Sequence, residues 1–103
     1  KEILDEVEAI ADAGAFSVVL ECIPSQLAKE VTSQIDIPTI GIGAGIHCDG
    51  QILVLHDLVG LYDGVKPKFL RKYANLGDDL QNAMKNYIFD VRKGDFPSKK
   101  ESY

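Results

Sequence analysis

The stretch FSVVLECIPS, residues 16–25, decides the fold of this chain. Its first part is an apolar, valine-rich run, which is typical of a parallel strand that is covered on both faces or enclosed in a barrel. The run ends at Glu21, and Pro24 and Ser25 then begin a helix, because proline fits the first turn. Acidic residues at the ends of such strands lie where α/β proteins gather their chemistry. The stretch therefore predicts an α/β fold with Glu21 as its first candidate functional residue.

Amphipathic helices are predicted on both sides of this strand. The preceding helix ends at Gly14, and its apolar stripe consists of Ile3, Leu4, Val7, Ile10 and Ala11. The following helix buries Leu27, Ala28 and Val31. The order helix, strand, helix is that of a βα repeat.

Two further apolar runs predict two more strands. The run 39–42 leads into Gly43-Ala44-Gly45, which is predicted to be a tight turn or, alternatively, a nest of N–H groups for an anion. The run 51–57 is predicted as a third strand. Only residues 43–50 separate these runs, whereas parallel neighbours usually need a longer crossover. A helical turn over 49–54 is the alternative.

The C-terminal part is predicted to be helical in two pieces. A short basic helix covers 67–74, in a cluster formed by Lys66, Lys68, Arg71 and Lys72. Asp78 or Asp79 then caps a longer helix that runs to Gly94. The polar tail 95–103 is predicted to lie on the surface or against a neighbouring subunit.

Composition excludes several classes of protein. The chain has 103 residues, 46% of them hydrophobic, and a net charge of -5. This acidity argues against a nucleic-acid backbone or an anionic membrane as the main partner. No apolar run approaches the roughly 18 residues of a membrane span, and the charged start is not expected to be a signal peptide. We expect a cytoplasmic protein.

The cysteines and histidines predict neither a disulfide nor a metal site. Cys22 and Cys48 are isolated from each other in sequence and are expected to be free thiols in a reducing compartment, with Cys22 packed on the side of the strand opposite to Glu21. His47 and His56 form no metal-spaced motif. The pair His56-Asp57 is predicted to end the third strand, and a histidine hydrogen-bonded inside the protein is the expected state.

The pattern is that of a part of a larger fold. A helix begins the chain without the strand that βαβ folds place before it. Three apolar strands also need more covering than the predicted helices provide. We therefore expect residues 1–103 to be the C-terminal part, about helix 5 to helix 8, of one TIM-type (β/α)8 barrel domain whose N-terminal half is absent. A small, complete, three-stranded α/β domain is the alternative.

Several of these segments together resemble one enzyme family. VVLECIP at 18–24, IGIGAG at 40–45, DGQILVLHD at 49–57, Pro67-Lys68-Phe69 and the Gly94-to-Pro97 end resemble ketopantoate hydroxymethyltransferase, in that family's order and over nearly the whole chain. The resemblance implies transfer of a hydroxymethyl group from 5,10-methylenetetrahydrofolate to 3-methyl-2-oxobutanoate, which gives 2-dehydropantoate in pantothenate biosynthesis. It also implies a homo-oligomer, typically a decamer.

The same resemblance implies that Glu21, the glutamate of the LEC motif, is the catalytic base. By position alone, a helix N-cap or an ion pair is the commoner role of such a residue. Mg²⁺ is implied to hold the keto acid, with ligands in the missing half, so this chain is expected to contain no metal-binding or cofactor-binding residues and to be inactive alone. The alternative function is a small, non-enzymatic α/β module for anion binding or assembly.

Overall fold

Two parallel four-residue strands form most of the sheet in the computed structural model, which describes residues 1–103. Strand β1 (Val18–Glu21) pairs with β2 (Thr39–Ile42) along its whole length. Strand β3 (Gly50–Gln51) pairs in parallel with β2 on its other side, which gives the order β1-β2-β3. This arrangement confirms the predicted α/β class and the parallel sheet.

Two helices and strand β1 provide most of the hydrophobic core. Helix α1 (Glu2–Asp12) contributes Val7, and helix α2 (Ser25–Gln34) contributes Ala28 and Val31. These side chains pack with Val18 and Leu20 of β1. The alternate residue Val19 is 53% exposed, so one face of β1 is covered and the other is open among residues 1–103. The predicted helices are confirmed, whereas the predicted cover on both faces is absent from this chain.

The connection 43–49 returns the chain from β2 to β3 without a helix. A four-residue strand is ~13 Å long, and an extended segment of about seven residues reaches ~24 Å, so the return is sterically possible. Cys48 packs against the core cluster and over Gly41, where a Cβ would lie 2.9 Å from its Sγ. The short strand and the missing side chain together allow a crossover much shorter than usual.

The prediction of a third strand over 51–57 is wrong in its length. Only Gly50 and Gln51 pair with β2, and the chain forms helix α3 at Leu55–Leu58. The ladder ends after a hydrogen bond from the Ile52 amide to the Gly41 carbonyl. Strand β2 itself stops at Ile42, so the apolar residues beyond Ile52 have no neighbouring strand with which to pair. The alternative helical turn over 49–54 is also not formed.

The chain divides into two compact units, Lys1–Val54 with Lys66–Leu70, and Leu55–Val65 with Arg71–Tyr103. In the second unit, helix α4 (Leu76–Lys93) is preceded by backbone hydrogen bonds from Tyr73 to Leu58 and from Leu76 to Val59. A single 3-10 turn, Lys99–Glu101, lies near the C-terminus. None of the helices meets the combined requirement of length and hydropathy for a membrane span.

Two predictions for the C-terminal part need correction. Residues 67–74 form no helix, and a single turn is closed there by a hydrogen bond from the Leu70 amide to the Pro67 carbonyl. Short helices are marginal without tertiary support. Helix α4 begins at Leu76, so Asp78 and Asp79 lie in its first turn and do not cap it. Its predicted end is confirmed, because Gly94 takes the left-handed conformation.

Candidate active site at the carboxyl end of the sheet

Glu21 is the last residue of β1 and lies at the carboxyl end of the sheet. It pairs with Ile42, the last residue of β2, so both strands end at the same level. Its side chain is exposed. Helix α2 follows after Pro24 without a side-chain capping hydrogen bond, so the common role of an acid at this position as a helix cap is not seen. The carboxylate is thus available at the edge where parallel α/β sheets place their functional groups.

Cys22 holds an unusual backbone conformation directly after Glu21. Its φ of 53° is the one positive value among the non-glycine residues, and its amide donates to the Ile42 carbonyl at 2.9 Å. Left-handed backbone costs a non-glycine residue of order 1–3 kcal/mol and persists where the surroundings fix it. The side chain of Cys22 is exposed, so the predicted packing role on the side of the strand opposite to Glu21 is not seen in this chain.

The turn after β2 begins directly after Ile42, the strand partner of Glu21, and is closely packed. Gly43 has a φ of 67°, and a Cβ there would lie 2.6 Å from Cδ1 of Phe69. Gly45 packs against Ser25 at the start of α2, and its carbonyl accepts a hydrogen bond of 2.8 Å from Nε2 of Gln51. These contacts favour the tight turn over the alternative of an open anion-binding nest.

The sequence did not predict that Gln51 and Phe69 contact the turn after β2. Gln51 stands at the start of an apolar run. Its polar side chain was the one sign in the sequence that this position differs from the apolar residues after it. Phe69 was assigned to a helix, whereas its ring covers the Gly43 turn. The contact joins segments that are distant in the sequence, and no local pattern predicts it.

The other candidate residues are described within their own units. His56 and Asp57 belong to α3, in the second unit, and the His56 side chain is exposed. The expectation of an internally hydrogen-bonded histidine is therefore wrong. The predicted basic helix is also divided, because Lys66 and Lys68 belong to the first unit, whereas Arg71 and Lys72 belong to the second.

The acidic, histidine and cysteine side chains of this chain are dispersed. No group of three or more His, Cys, Asp or Glu side chains among residues 1–103 lies close enough together to hold a metal ion. These residues therefore do not fit a Mg²⁺ site by themselves.

Nearly the whole chain matches one known enzyme family. The model of the ketopantoate hydroxymethyltransferase family matches residues 1–99, which include both β1 with Glu21 and the Gly43 turn. The chain belongs to the ketopantoate hydroxymethyltransferase family. The match confirms the family resemblance of the sequence.

Particular relatives carry the name 3-methyl-2-oxobutanoate hydroxymethyltransferase. The chain is 50% identical to the protein of Syntrophus aciditrophicus over 103 residues, which is 100% of this chain and 38% of the relative. It is 54% identical over 99 residues to that of Pyrobaculum aerophilum, covering 96% of this chain and 37% of the relative. The Bdellovibrio bacteriovorus protein is 53% identical over 103 residues, with 100% and 39% coverage. The chain thus spans less than two fifths of these relatives' length.

Proposed function

We propose that this chain supplies the general base of a hydroxymethyltransferase, and that Glu21 is that base. The reaction is transfer of a hydroxymethyl group from 5,10-methylenetetrahydrofolate to 3-methyl-2-oxobutanoate, giving 2-dehydropantoate. The names of the relatives support the substrate. The observation that carries the role of Glu21 is its exposed carboxylate at the carboxyl end of a parallel strand, with the backbone beside it fixed to Ile42.

The chemistry requires a base at a defined place. The carbon next to the keto group must lose its proton before it can form a carbon–carbon bond. In our proposal, a Glu21 oxygen accepts that proton, and the electron pair of the C–H bond is delocalised towards the carbonyl oxygen. The resulting carbon nucleophile then attacks the methylene carbon of the folate, both carbon–nitrogen bonds of the methylene bridge break, and water supplies the oxygen of the new hydroxyl group. The proton taken by Glu21 and one proton of that water finally reside on the two folate nitrogens, which gives tetrahydrofolate. General-base catalysis of this kind contributes typically 10²–10⁴-fold to a rate.

The remaining features of the proposal come from family resemblance. We propose a TIM-type barrel, and the parallel β1–α2–β2 unit supports a repeating βα architecture. Mg²⁺, the folate co-substrate, a homo-oligomer with a decamer as the expected size, and a cytoplasmic location are proposed on the same basis. The ligands of the metal are assigned to residues outside this chain.

The test uses a polypeptide of full family length that contains these residues. Glu21→Gln keeps the size of the side chain and removes the basic carboxylate, so kcat for formation of 2-dehydropantoate is expected to fall by about 10²–10⁴-fold. KM for the keto acid should change little, because the lost interaction acts in the transition state.

Glu6→Gln is the matched control, since Glu6 is exposed on α1 and lies outside the candidate site. It is expected to keep the wild-type kcat. A Glu21→Gln enzyme that forms product at the wild-type rate would refute the proposed role of Glu21.

A further inference from the structure

We propose that Phe69 is a positioning residue for Glu21, which it holds in place through the Gly43 turn. This inference rests on the proposed function of Glu21 and adds a second residue to the same site. Phe69 lies in Lys66–Leu70, the segment that belongs to the first unit although the chain around it belongs to the second. The segment is therefore joined to the sheet by its contacts rather than by its neighbours in sequence.

The Phe69 ring and Gly43 fit together as a pair. The atoms nearest to a Cβ placed on Gly43 are three carbons of the ring, at 2.6, 3.0 and 3.1 Å. The ring therefore occupies the space that any other side chain would need, and it lies directly on the turn backbone. The φ of 67° at Gly43 is also one that glycine adopts readily. The half-buried ring thus fixes the direction in which the chain leaves β2.

A short covalent and hydrogen-bonded path connects this contact to Glu21. Gly43 follows Ile42, whose carbonyl accepts the hydrogen bond from the Cys22 amide, and Ile42 is the direct partner of Glu21 across the strands. The positive φ at Cys22 needs surroundings that maintain it. If the turn moves, the Ile42 carbonyl moves with it, and the peptide after Glu21 loses its fixed orientation. A displacement of about 1 Å can reduce a rate by ~10²-fold.

The experiment measures exchange of the C3 proton of 3-methyl-2-oxobutanoate with solvent deuterium, catalysed by the full-length protein. Phe69→Ala is expected to lower the exchange kcat at least about 10-fold, with KM for the keto acid little changed. Phe69→Leu keeps apolar bulk and should lower the exchange kcat less. Phe69→Tyr keeps the ring and should retain most of the wild-type exchange kcat. The leucine variant also provides a folded protein if the alanine variant does not fold.

Two further variants separate positioning from general stability. Asp49→Ala removes contacts at the opposite end of the sheet, where Asp49 binds Thr39, and should lower the melting temperature without lowering the exchange kcat. Gly43→Ala should lower exchange by itself. In the Gly43→Ala protein, Phe69→Ala should then lower the exchange kcat by a smaller factor than it does in the wild type, because both changes disrupt the same contact.

The outcomes distinguish this inference from the proposed function. If Glu21→Gln abolishes exchange while Phe69→Ala and Phe69→Leu exchange at the wild-type rate, the positioning role is refuted and the role of Glu21 stands. It is also refuted if Asp49→Ala lowers exchange as much as Phe69→Ala at an equal loss of stability. Wild-type exchange in Glu21→Gln would refute the proposed function itself.

Discussion

Thr39 and Asp49 exchange backbone-to-side-chain hydrogen bonds at the start of β2. The Thr39 amide donates to Oδ2 of Asp49 at 2.8 Å, and the Asp49 amide donates to Oγ1 of Thr39 at 3.1 Å. The Thr39 hydroxyl lies within 3.2 Å of the same carboxylate oxygen and 2.9 Å from the Thr32 hydroxyl. Thr39 is fully buried, so its polar groups need these partners. The pair fixes the end of the short crossover next to the first residue of β2.

Loss of this pair should destabilise the protein. Asp49→Ala leaves the buried Thr39 amide without its acceptor, which costs about 1–3 kcal/mol. Asp49→Asn should cost less, because an amide oxygen can still accept. The measurement is denaturant unfolding of the full-length protein. Ser33→Ala is the control, since that exposed hydroxyl donates only to the Glu30 carbonyl; equal stability of the two alanine variants would contradict the prediction.

The substitution Gly94→Ala measures the free-energy cost of a left-handed backbone conformation at the end of α4. Gly94 follows α4 with a φ of 84°, and a Cβ there would meet no atom within 4 Å. The substitution is therefore expected to cost about 1–2 kcal/mol through the backbone conformation alone. Gly94→Asn should cost less, because asparagine tolerates the left-handed region. Thermal unfolding compares the two variants, and a Gly94→Ala protein as stable as the wild type would contradict this account.

The C-terminal 3-10 turn should depend on pH through Glu101. Hydrogen bonds from the side chain and then the backbone of Ser98 lower the pKa of Glu101 below its ordinary value of 4.5. A lowered pKa in the folded state means that the stabilisation is present above the ordinary pKa and is lost as the pH falls through the folded pKa. The contribution of Glu101 to the stability of the turn should therefore be complete well above pH 4.5 and decline as the pH falls below that value.

An NMR titration of the Glu101 carboxyl group checks this prediction. Ser98→Ala should raise its pKa towards the ordinary value, because the variant removes the side-chain hydrogen bond. A Glu101 pKa that is the same in both proteins would show that the side chain of Ser98 does not stabilise the charged carboxylate.

The sequence predicted the parts of the fold that depend on local pattern. The stripe of α1, the run ending at Glu21 and the small residues after Ile42 carry their periodicity or turn chemistry in adjacent residues. The third strand was predicted too long because pairing depends on a neighbour, and β2 ends at Ile42. An apolar run cannot show where its partner strand stops.

The candidate site was predictable only in its central residue. Glu21 is marked by its place at the end of an apolar run and by the family resemblance, whereas Phe69 reaches Gly43 from a segment distant in sequence. The left-handed conformation of Cys22 was also hidden, because cysteine carries no sequence signal for positive φ. Contacts between distant segments and strained backbone are properties of the folded chain.

The most direct test of the central claim is the exchange of the C3 proton of 3-methyl-2-oxobutanoate with deuterium from the solvent, measured by NMR. It reports proton removal alone, without transfer of the one-carbon unit. The full-length wild-type protein should catalyse exchange, and Glu21→Gln should abolish it while the keto acid still binds. Exchange at the wild-type rate in Glu21→Gln would contradict the assignment of Glu21 as the base.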